Sequence, residues 1–542
     1  MALKIIEKNP ILVLSIIIIL MLLVHLDVPS VTIMEARNFI TAREMVRDHN
    51  WLLTTMNGEA RYEKPPLPTW LSAFSGLIFG INSIFALRLP AALMVLFLGI
   101  FLYLLSLKLN LTKLHSFYNA LIVITSFYVF AIINEAPWDI YTHGFMLAGI
   151  YYLFLILKEK VAIWKNVMLS AFFIGLSILS KGPVSLFAVF LPFLISYGIA
   201  FKFKEIKPKI FPIIILLILS ILIGGWWFVY VRLADPIAFL EIASKETRNW
   251  ASYNVKPFYY YWSFFTQSGI WTIPALISIL YPFMIKRIEN KKIYKFSFWW
   301  VLIAIILLSI IPEKKPRYLM PVLIPLAINI GIYINYIIQN FKKSTSKKET
   351  FPVYFNFGLI SFIAFSLPIV LIIILKTDIK NHLFNFITLT IVCVLIGINI
   401  IKYLRNKNIK VVFYLVVLFM ISALGLGLPI SQSLNKNLAY KSINSLHLIE
   451  GTNSIRTYSI GEITPELLWD YNGILKNIYK NEQLFLPNET NFGLLIMNED
   501  VPKITSKLSA QYNLELKETY NLNEGSKMKE RLIRQFYLIS KK

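Results

Sequence analysis

Residues 34–71 read MEARNFITAREMVRDHNWLLTTMNGEARYEKPPLPTWL, an unusually charged stretch in a chain that is only 15% charged and 57% hydrophobic. Glu35, Arg37, Arg43, Glu44, Arg47 and Asp48 are spaced for a helix, and Phe39, Ile40 and Val46 give that helix an apolar stripe. Such a helix would lie on the outer membrane interface, stripe toward the lipid. The bland alternative is a solvated face without chemistry. Next comes Arg61-Tyr62-Glu63-Lys64-Pro65-Pro66. Two prolines fix a rigid, non-helical turn, which holds a carboxylate and an ammonium at the membrane surface. Lysine serves as a point-charge ligand for phosphate. The plain alternative is a surface Glu–Lys pair, worth little.

Three further stretches place charge beside apolar segments. Residues 134–139 bring Glu135 and Asp139 into one turn, residues 180–183 read SKGP around Lys181, and residues 312–321 carry Lys314, Lys315, Arg317 and Tyr318. Lys181 alone reads as a snorkelling side chain. All of these fall on the outer side of the topology derived below, against the usual inward bias of Lys and Arg. That cost points to an anionic ligand at the outer face. A second long outer loop adds Lys245, Arg248, Lys256 and the run Phe258-Tyr259-Tyr260-Tyr261-Trp262. Aromatics at that depth form interfacial belts, flank a lipid tail or stack on a sugar.

The elements that must carry these residues follow from composition. The chain has 542 residues, 40 Phe, 28 Tyr and 12 Trp, with a formal net charge of +24 and mean hydropathy +0.63. Soluble domains are roughly 45–50% apolar and about 25% charged. Disordered chains lack aromatics. A nucleic-acid binder can be this basic but not this apolar, so no nucleic-acid partner is expected. The single cysteine, Cys393, excludes a disulfide scaffold and a cysteine metal site. What remains is an α-helical polytopic membrane protein in a lipid bilayer. Apolar runs suggest spans at 10–26, 84–107, 115–133, 140–157, 166–180, 183–201, 211–231, 263–285, 297–312, 318–338, 352–375, 383–401 and 411–430. The run at 67–81 is short and reads as interfacial. Lys4 and Lys8 precede the first span, no small-residue cleavage site follows it, and alternate loops are Lys-rich, including Lys160 and Lys204. Thirteen spans, N-terminus cytoplasmic and C-terminus outside, satisfy the positive-inside rule. Most of the net charge is then a topology signal.

Residues 1–430 thus form a transmembrane domain with outer loops at 27–83 and 232–262. Residues 431–542 have soluble composition, with β-like runs at 455–460 and 494–497 and amphipathic stretches at 465–469 and 501–512. They read as a small extracytoplasmic α/β domain that covers the site, binds the acceptor or simply stabilises the rest.

The order EAR…AREM…W…NG…RYEKPPL…W, then the acidic turn at Asp139, then SKGP, then KKPRYLMPVLIPLA, resembles the protein O-mannosyltransferase superfamily. Within it, the similarity is to the bacterial aminoarabinose transferases that modify lipid A. The motifs cover most of residues 1–340, and the span count carries the likeness to about 430. The resemblance implies a C-type glycosyltransferase fold and an inverting transfer from a polyprenyl-phosphate sugar. It places the site at the outer face of the bacterial cytoplasmic membrane and calls for no nucleotide cofactor. It implies that Lys64 contacts the donor phosphate, that Glu63 helps hold a divalent metal ion, and that Arg37, Asp139 and Tyr318 lie at the site. The family usually opens its first loop with Asp-Glu, and here Met34-Glu35 stand instead. Either Glu35 takes the catalytic role, or Asp27 or Asp139 does, or no strong base is needed.

Leaving-group chemistry explains the cations. A departing polyprenyl phosphate gains negative charge, which fixed groups such as Lys64, Arg37, Arg317 and Lys181 would stabilise. A hydroxyl acceptor on protein or glycan needs a carboxylate to take its proton. A phosphate monoester, with a second pKa of about 6, is already anionic. Met34 therefore favours a phosphate acceptor such as lipid A. The alternative of another class is a lipid-linked sugar flippase or transporter. It would need charged or broken helices near the midplane, and the predicted spans carry almost no charge.

Overall fold

The computed structural model describes residues 7–159, 162–203, 206–433, 437–480, 482–525 and 528–542; Lys4, Lys160 and Lys204 lie outside them. The chain enters through a short apolar helix, Pro10–Leu23, and turns into α1, Ile33–Arg47. Thr32 starts α1 with a capping box: its hydroxyl accepts from the Glu35 amide, and the Glu35 carboxylate accepts from the Thr32 amide at 3.0 Å. A two-strand hairpin follows, Thr55–Met56 against Glu59–Ala60. Asn57 and Gly58 form its turn with φ of 58° and 74°, the left-handed pair that Asn-Gly favours. The Glu44 carboxylate ties this hairpin to α1 by accepting from Thr55 Oγ1 and the amides of Asn57 and Gly58. The interfacial run then forms a helix, Leu67–Phe79, too short to cross a bilayer.

Among the described residues nine helices are long and apolar enough to cross a membrane. They are Ile84–Lys108, Pro137–Lys158 (α2), Ile163–Lys181 (α3), Lys207–Ala234, Lys291–Ile310, Pro316–Asn340, Lys347–Leu375, Asp378–Arg405 and Ile409–Ser431. Lys113–Ile124 and Phe127–Glu135, bent by 41°, make a tenth if counted as one span. The protein is a multi-pass membrane protein. Three expected spans are not long helices. Those at 10–26 and 183–201 are shorter, and the one at 263–285 is broken into Phe264–Trp271, Thr272–Ser278 and Tyr281–Met284. Gly269 causes part of that break: its φ is 65°, and a Cβ there would sit 2.9 Å from the Phe127 side chain. The broken pieces carry no ionisable side chain except Tyr281. Outside the spans, Pro236–Ser252 (α4) is an amphipathic helix capped by Asp235.

The tail is an α/β domain. Its five-stranded sheet uses Thr457–Ser459 (β1), Lys476–Asn477 (β2), Asn491–Ile496 (β3), Tyr512–Asn521 (β4) and Ile533–Lys541 (β5), in the order β2-β1-β3-β5-β4. β1 pairs parallel with β2 and β3, and β5 pairs antiparallel with β3 and β4. Strand alternation gives the sheet two apolar faces. Phe492, Leu494 and Ile539 pack on the Val501–Leu508 helix through Ile504 and Leu508. On the other face, Leu495 and Phe536 join Pro465–Tyr471 (α5) and residues Ala36 and Ile40 of α1.

That second face corrects one expectation. The stripe on α1 does not meet lipid: Ile40 is buried under the tail domain, and Phe39, Ala42 and Met45 pack on Ala73 and Leu87. The charges on α1 explain why it sits between the two domains. Below, Glu35 is fully buried against Arg88, with Nε–Oε1 at 2.6 Å and Nη2–Oε2 at 3.0 Å. Arg88, 1% exposed, also donates to the carbonyls of Leu26, Pro29 and Ser30. Above, Arg43 donates to the carbonyls of Leu468 and Trp469 and to Asn472 Oδ1, and its guanidinium lies 5.1 Å over the Trp469 ring. Burial pulls the Arg43 guanidinium down to about 10, still protonated at neutral pH.

Replacing Arg88 with Met should leave Glu35 as a lone buried carboxylate. A loss of about 3–5 kcal/mol is expected, seen as a lower unfolding midpoint of the detergent-solubilised protein. Adding Glu35→Leu should recover most of it, because no charge then stays buried alone. An unchanged midpoint in the single variant would contradict this.

Candidate active site

α2 and α3 are antiparallel neighbours, so the first turn of one meets the last turn of the other. Asp139 lies in that first turn and Lys181 ends α3. Each charge sits at the helix end that favours it, and the two are ion-paired and hydrogen-bonded through Asp139 Oδ1. Asp139 is 2% exposed, yet its Oδ2 has no partner among the described residues. One turn deeper on α2, His143 is 3% exposed and its Nδ1 is likewise unpartnered. Asp139 feels the charges of Lys181, His143 and Arg317. Native buried polar atoms are rarely left unpaired, so these two atoms are open to a ligand or an ordered water.

The turn at 312–321 sorts its three cations by partner. Lys314 is 2% exposed, and its ammonium donates to the carbonyls of Lys256 at 3.0 Å and Ile311 at 2.6 Å. Val255 bridges Glu313, and Asn254 exchanges hydrogen bonds with Lys314. Lys314 thus staples the second long loop to this turn. Lys315 pairs with Glu313 at 2.5 Å. Arg317 makes no hydrogen bond or ion pair among the described residues, and its Nε is buried without a partner. The Tyr318 ring is flanked by Lys181 Nζ at 5.2 Å and the Arg317 guanidinium at 5.8 Å, a cation–π arrangement. Its hydroxyl donates to Glu313 at 3.3 Å.

The first loop supplies the other side. Arg37 is half-buried, and its side chain also lacks a hydrogen bond or ion pair among the described residues. Arg61 is buried; it donates to Thr41 Oγ1 of α1 at 3.0 Å and lies 5.4 Å over the Trp138 ring. Burial pulls its guanidinium down to about 10, with Glu63 opposing and the like charge of Arg37 adding to the drop. Lys64 pairs with Glu246 of α4 at 3.2 Å, and both Lys64 and Arg317 act electrostatically on Lys181. Beside it, Tyr62 donates to Asp235 at 2.9 Å, and burial pushes its hydroxyl up. Arg61, Lys64 and Lys181 thus pair with Glu63, Glu246 and Asp139, whereas Arg37 and Arg317 make no ion pair among the described residues.

The structure thus brings together Arg37, Lys64, Asp139, Lys181, Arg317 and Tyr318. It does not bring the Glu35 carboxylate to them: both oxygens are engaged by Arg88 and the Thr32 amide. Burial pushes the Glu35 carboxyl up, while Arg88 pulls it down. Asp27 is exposed. Glu63 is exposed too, 4.0 Å from Arg61. No group of three or more His, Cys, Asp or Glu able to hold a metal occurs among the described residues. A divalent ion takes several oxygen or nitrogen ligands, so Glu63 alone does not fit the implied metal and no step is routed through one. Sequence reading gave no role to Arg61, His143 or Glu246. His143 was accessible as the residue four after Asp139 on a helix. The Lys64–Glu246 contact joins segments far apart in the chain and left no local signal.

Residues 63–226 match the family described as dolichyl-phosphate-mannose-protein mannosyltransferase. Among curated relatives, an uncharacterised protein of Aquifex aeolicus (strain VF5) is 26% identical over 313 residues, 56% of this chain and 59% of that one. An undecaprenyl phosphate-alpha-4-amino-4-deoxy-L-arabinose arabinosyl transferase of Proteus mirabilis (strain HI4320) is 24% identical, covering 55% of this chain and 54% of its own. The chain thus spans little more than half the length of these relatives. The crystal structure of ArnT from Cupriavidus metallidurans bound to undecaprenyl phosphate superposes with a TM-score of 0.65 at 14% identity, over 98% of this chain and 97% of that one. The resemblance read from the motifs holds: the chain is similar to the mannosyltransferase superfamily and to its aminoarabinose branch. Its fold is that of ArnT, the fold that the resemblance implies.

Lys314 and Arg317 should behave oppositely when made Met. Lys314→Met orphans the carbonyls of Lys256 and Ile311 and should lower the unfolding midpoint. Arg317→Met breaks no hydrogen bond or ion pair among the described residues and should leave the unfolding free energy within about 0.5 kcal/mol of the original. Equal losses in both would refute the division of roles.

Proposed function

We propose that this chain is a membrane glycosyltransferase that moves a sugar from a polyprenyl-phosphate donor to an acceptor at the outer face of a bacterial cytoplasmic membrane. The acceptor proposed is the phosphate of lipid A, with protein or glycan hydroxyls as the alternative. The N-terminus is cytoplasmic and the tail domain lies outside, in keeping with lysine-rich helix ends such as Lys108 and Lys158 at the opposite rim.

One observation carries this reading: two arginines have no ion pair among the described residues, Arg317 beside a carboxylate with a free oxygen and Arg37 beside Arg61. A sugar-linked lipid phosphate is a diester bearing one negative charge. When the acceptor oxygen attacks the anomeric carbon from the opposite face, the bond from that carbon to the phosphate oxygen breaks and its electron pair goes to the phosphate. The departing monoester then carries about −1.5 to −2, a charge that two unpaired cations suit. Arg37 and Arg317, whose side chains make no hydrogen bond or ion pair among the described residues, and Lys64, paired with Glu246, are the groups assigned to it.

Every carboxylate at the site has a cation beside it: Asp139 has Lys181, Glu246 has Lys64 and Glu63 has Arg61. Asp139 alone keeps an unpartnered oxygen, and the Lys181 ammonium on its other oxygen stabilises its charged form and makes it a weak base. That favours an acceptor already anionic, needing no proton removed. The breaks in two helices are the one feature that would suit a transporter, but the ion pairs and unpaired cations gather at the rim instead.

In proteoliposomes with undecaprenyl-phosphate aminoarabinose and lipid A, Lys64→Ala and Arg37→Ala should each lower the transfer rate by about 10²-fold or more. Full activity in both variants would overturn the site. Transfer only to protein serine or threonine would overturn the acceptor.

A further inference from the structure

The unpartnered atoms beside the cations are not all of one kind. A phosphate accepts hydrogen bonds and, as a diester, donates none, so its site needs donors only. Around Asp139, by contrast, Arg317 Nε and Trp138 Nε1 are donors, Asp139 Oδ2 is an acceptor, and His143 Nδ1 is either, according to its tautomer. All four atoms are buried and without partners, and Trp138, Asp139 and His143 lie within two turns of one helix. Asp139 interacts with His143 and Arg317 together. A mixed set of donors and acceptors fits a ligand whose groups both give and receive hydrogen bonds. Sugar hydroxyls do so, and an amino substituent adds donors.

We propose that His143 and Asp139 Oδ2 form the subsite for the donor's sugar ring, one helical turn inward from the cations that hold its phosphate, and that His143 is a specificity-determining residue. This rests on the glycosyltransferase reading above. His143 Nδ1 accepts from, or donates to, a ring hydroxyl, and Asp139 Oδ2 accepts from a hydroxyl or ammonium. Lys181 holds the other Asp139 oxygen and so fixes the direction in which Oδ2 points. The bland role for His143 is core packing. It would leave Nδ1 unpaired at a cost that a Phe or Leu at this position would avoid.

The test uses the full-length protein in nanodiscs and three lipids: undecaprenyl phosphate, and the same lipid phosphate bearing aminoarabinose or mannose. The readout is the ratio of the Kd for bare lipid phosphate to the Kd for the preferred sugar donor. His143→Phe should leave binding of the bare phosphate unchanged and lower that ratio about tenfold. His143→Asn, which keeps a polar atom near Nδ1, should retain most of the ratio and remains informative if the Phe variant folds poorly. Lys64→Met should weaken all three lipids alike. An unchanged ratio in His143→Phe, or equal losses in the Phe and Asn variants, would overturn the sugar subsite. Unaltered binding of every lipid in Lys64→Met would instead overturn the phosphate site beneath it.

Discussion

The Glu35–Arg88 ion pair is the constraint on which the rest depends. It sits at the junction of the first span, the first outer loop and Ile84–Lys108, and Arg88 also gathers the carbonyls of Leu26, Pro29 and Ser30. A buried pair is not a strong source of stability compared with apolar packing, but each charge makes the other's absence costly. Its effect is positional: the start of α1 has one place to be. Arg43 fixes the same helix from above, through the tail domain. With those two faces held, the third stripe of α1 carries Arg37, Thr41 and Glu44 at helical spacing. Thr41 receives Arg61, Glu44 holds the hairpin, and the Arg37 side chain is left without a hydrogen bond or ion pair among the described residues.

The tail domain then has a defined structural task. Its α5 supplies Leu468 and Trp469, and the residue that caps α5 supplies Asn472, to Arg43, and Asn57 exchanges two hydrogen bonds with Leu475 at 2.8 Å each. These contacts run from the sheet to α1 and the hairpin that precedes Lys64. The domain is a clamp on the loop that presents Arg37 and Lys64, whatever else it contacts.

Much of this was legible in the sequence, for identifiable reasons. Hydropathy and charge alternation expose helices packed in lipid, because the bilayer enforces both. Lys181 and Arg317 stood out because they oppose that bias. Two things were not legible. The apolar stripe of α1 reads the same whether it faces lipid or another domain, and only tertiary packing distinguishes them. Nor can a sequence tell an engaged charge from a free one: Glu35 and Asp139 are both acids, as Lys314 and Arg317 are both cations. What separates them is the count of partners. Glu35 and Lys314 are saturated by neighbours, whereas Asp139 keeps an oxygen and Arg317 its whole guanidinium. Breaks such as that at Gly269 were also hidden, since a glycine in an apolar run leaves the hydropathy unchanged.

The central claim is that an unpaired set of cations at the outer rim is the seat of a lipid-linked phosphate. An experimental structure of the full-length protein with bound undecaprenyl phosphate tests it most directly. The account predicts phosphate density within contact distance of Arg37, Lys64 and Arg317, beside Asp139. Phosphate density at the opposite rim, or at the outer rim away from these three side chains, would contradict it.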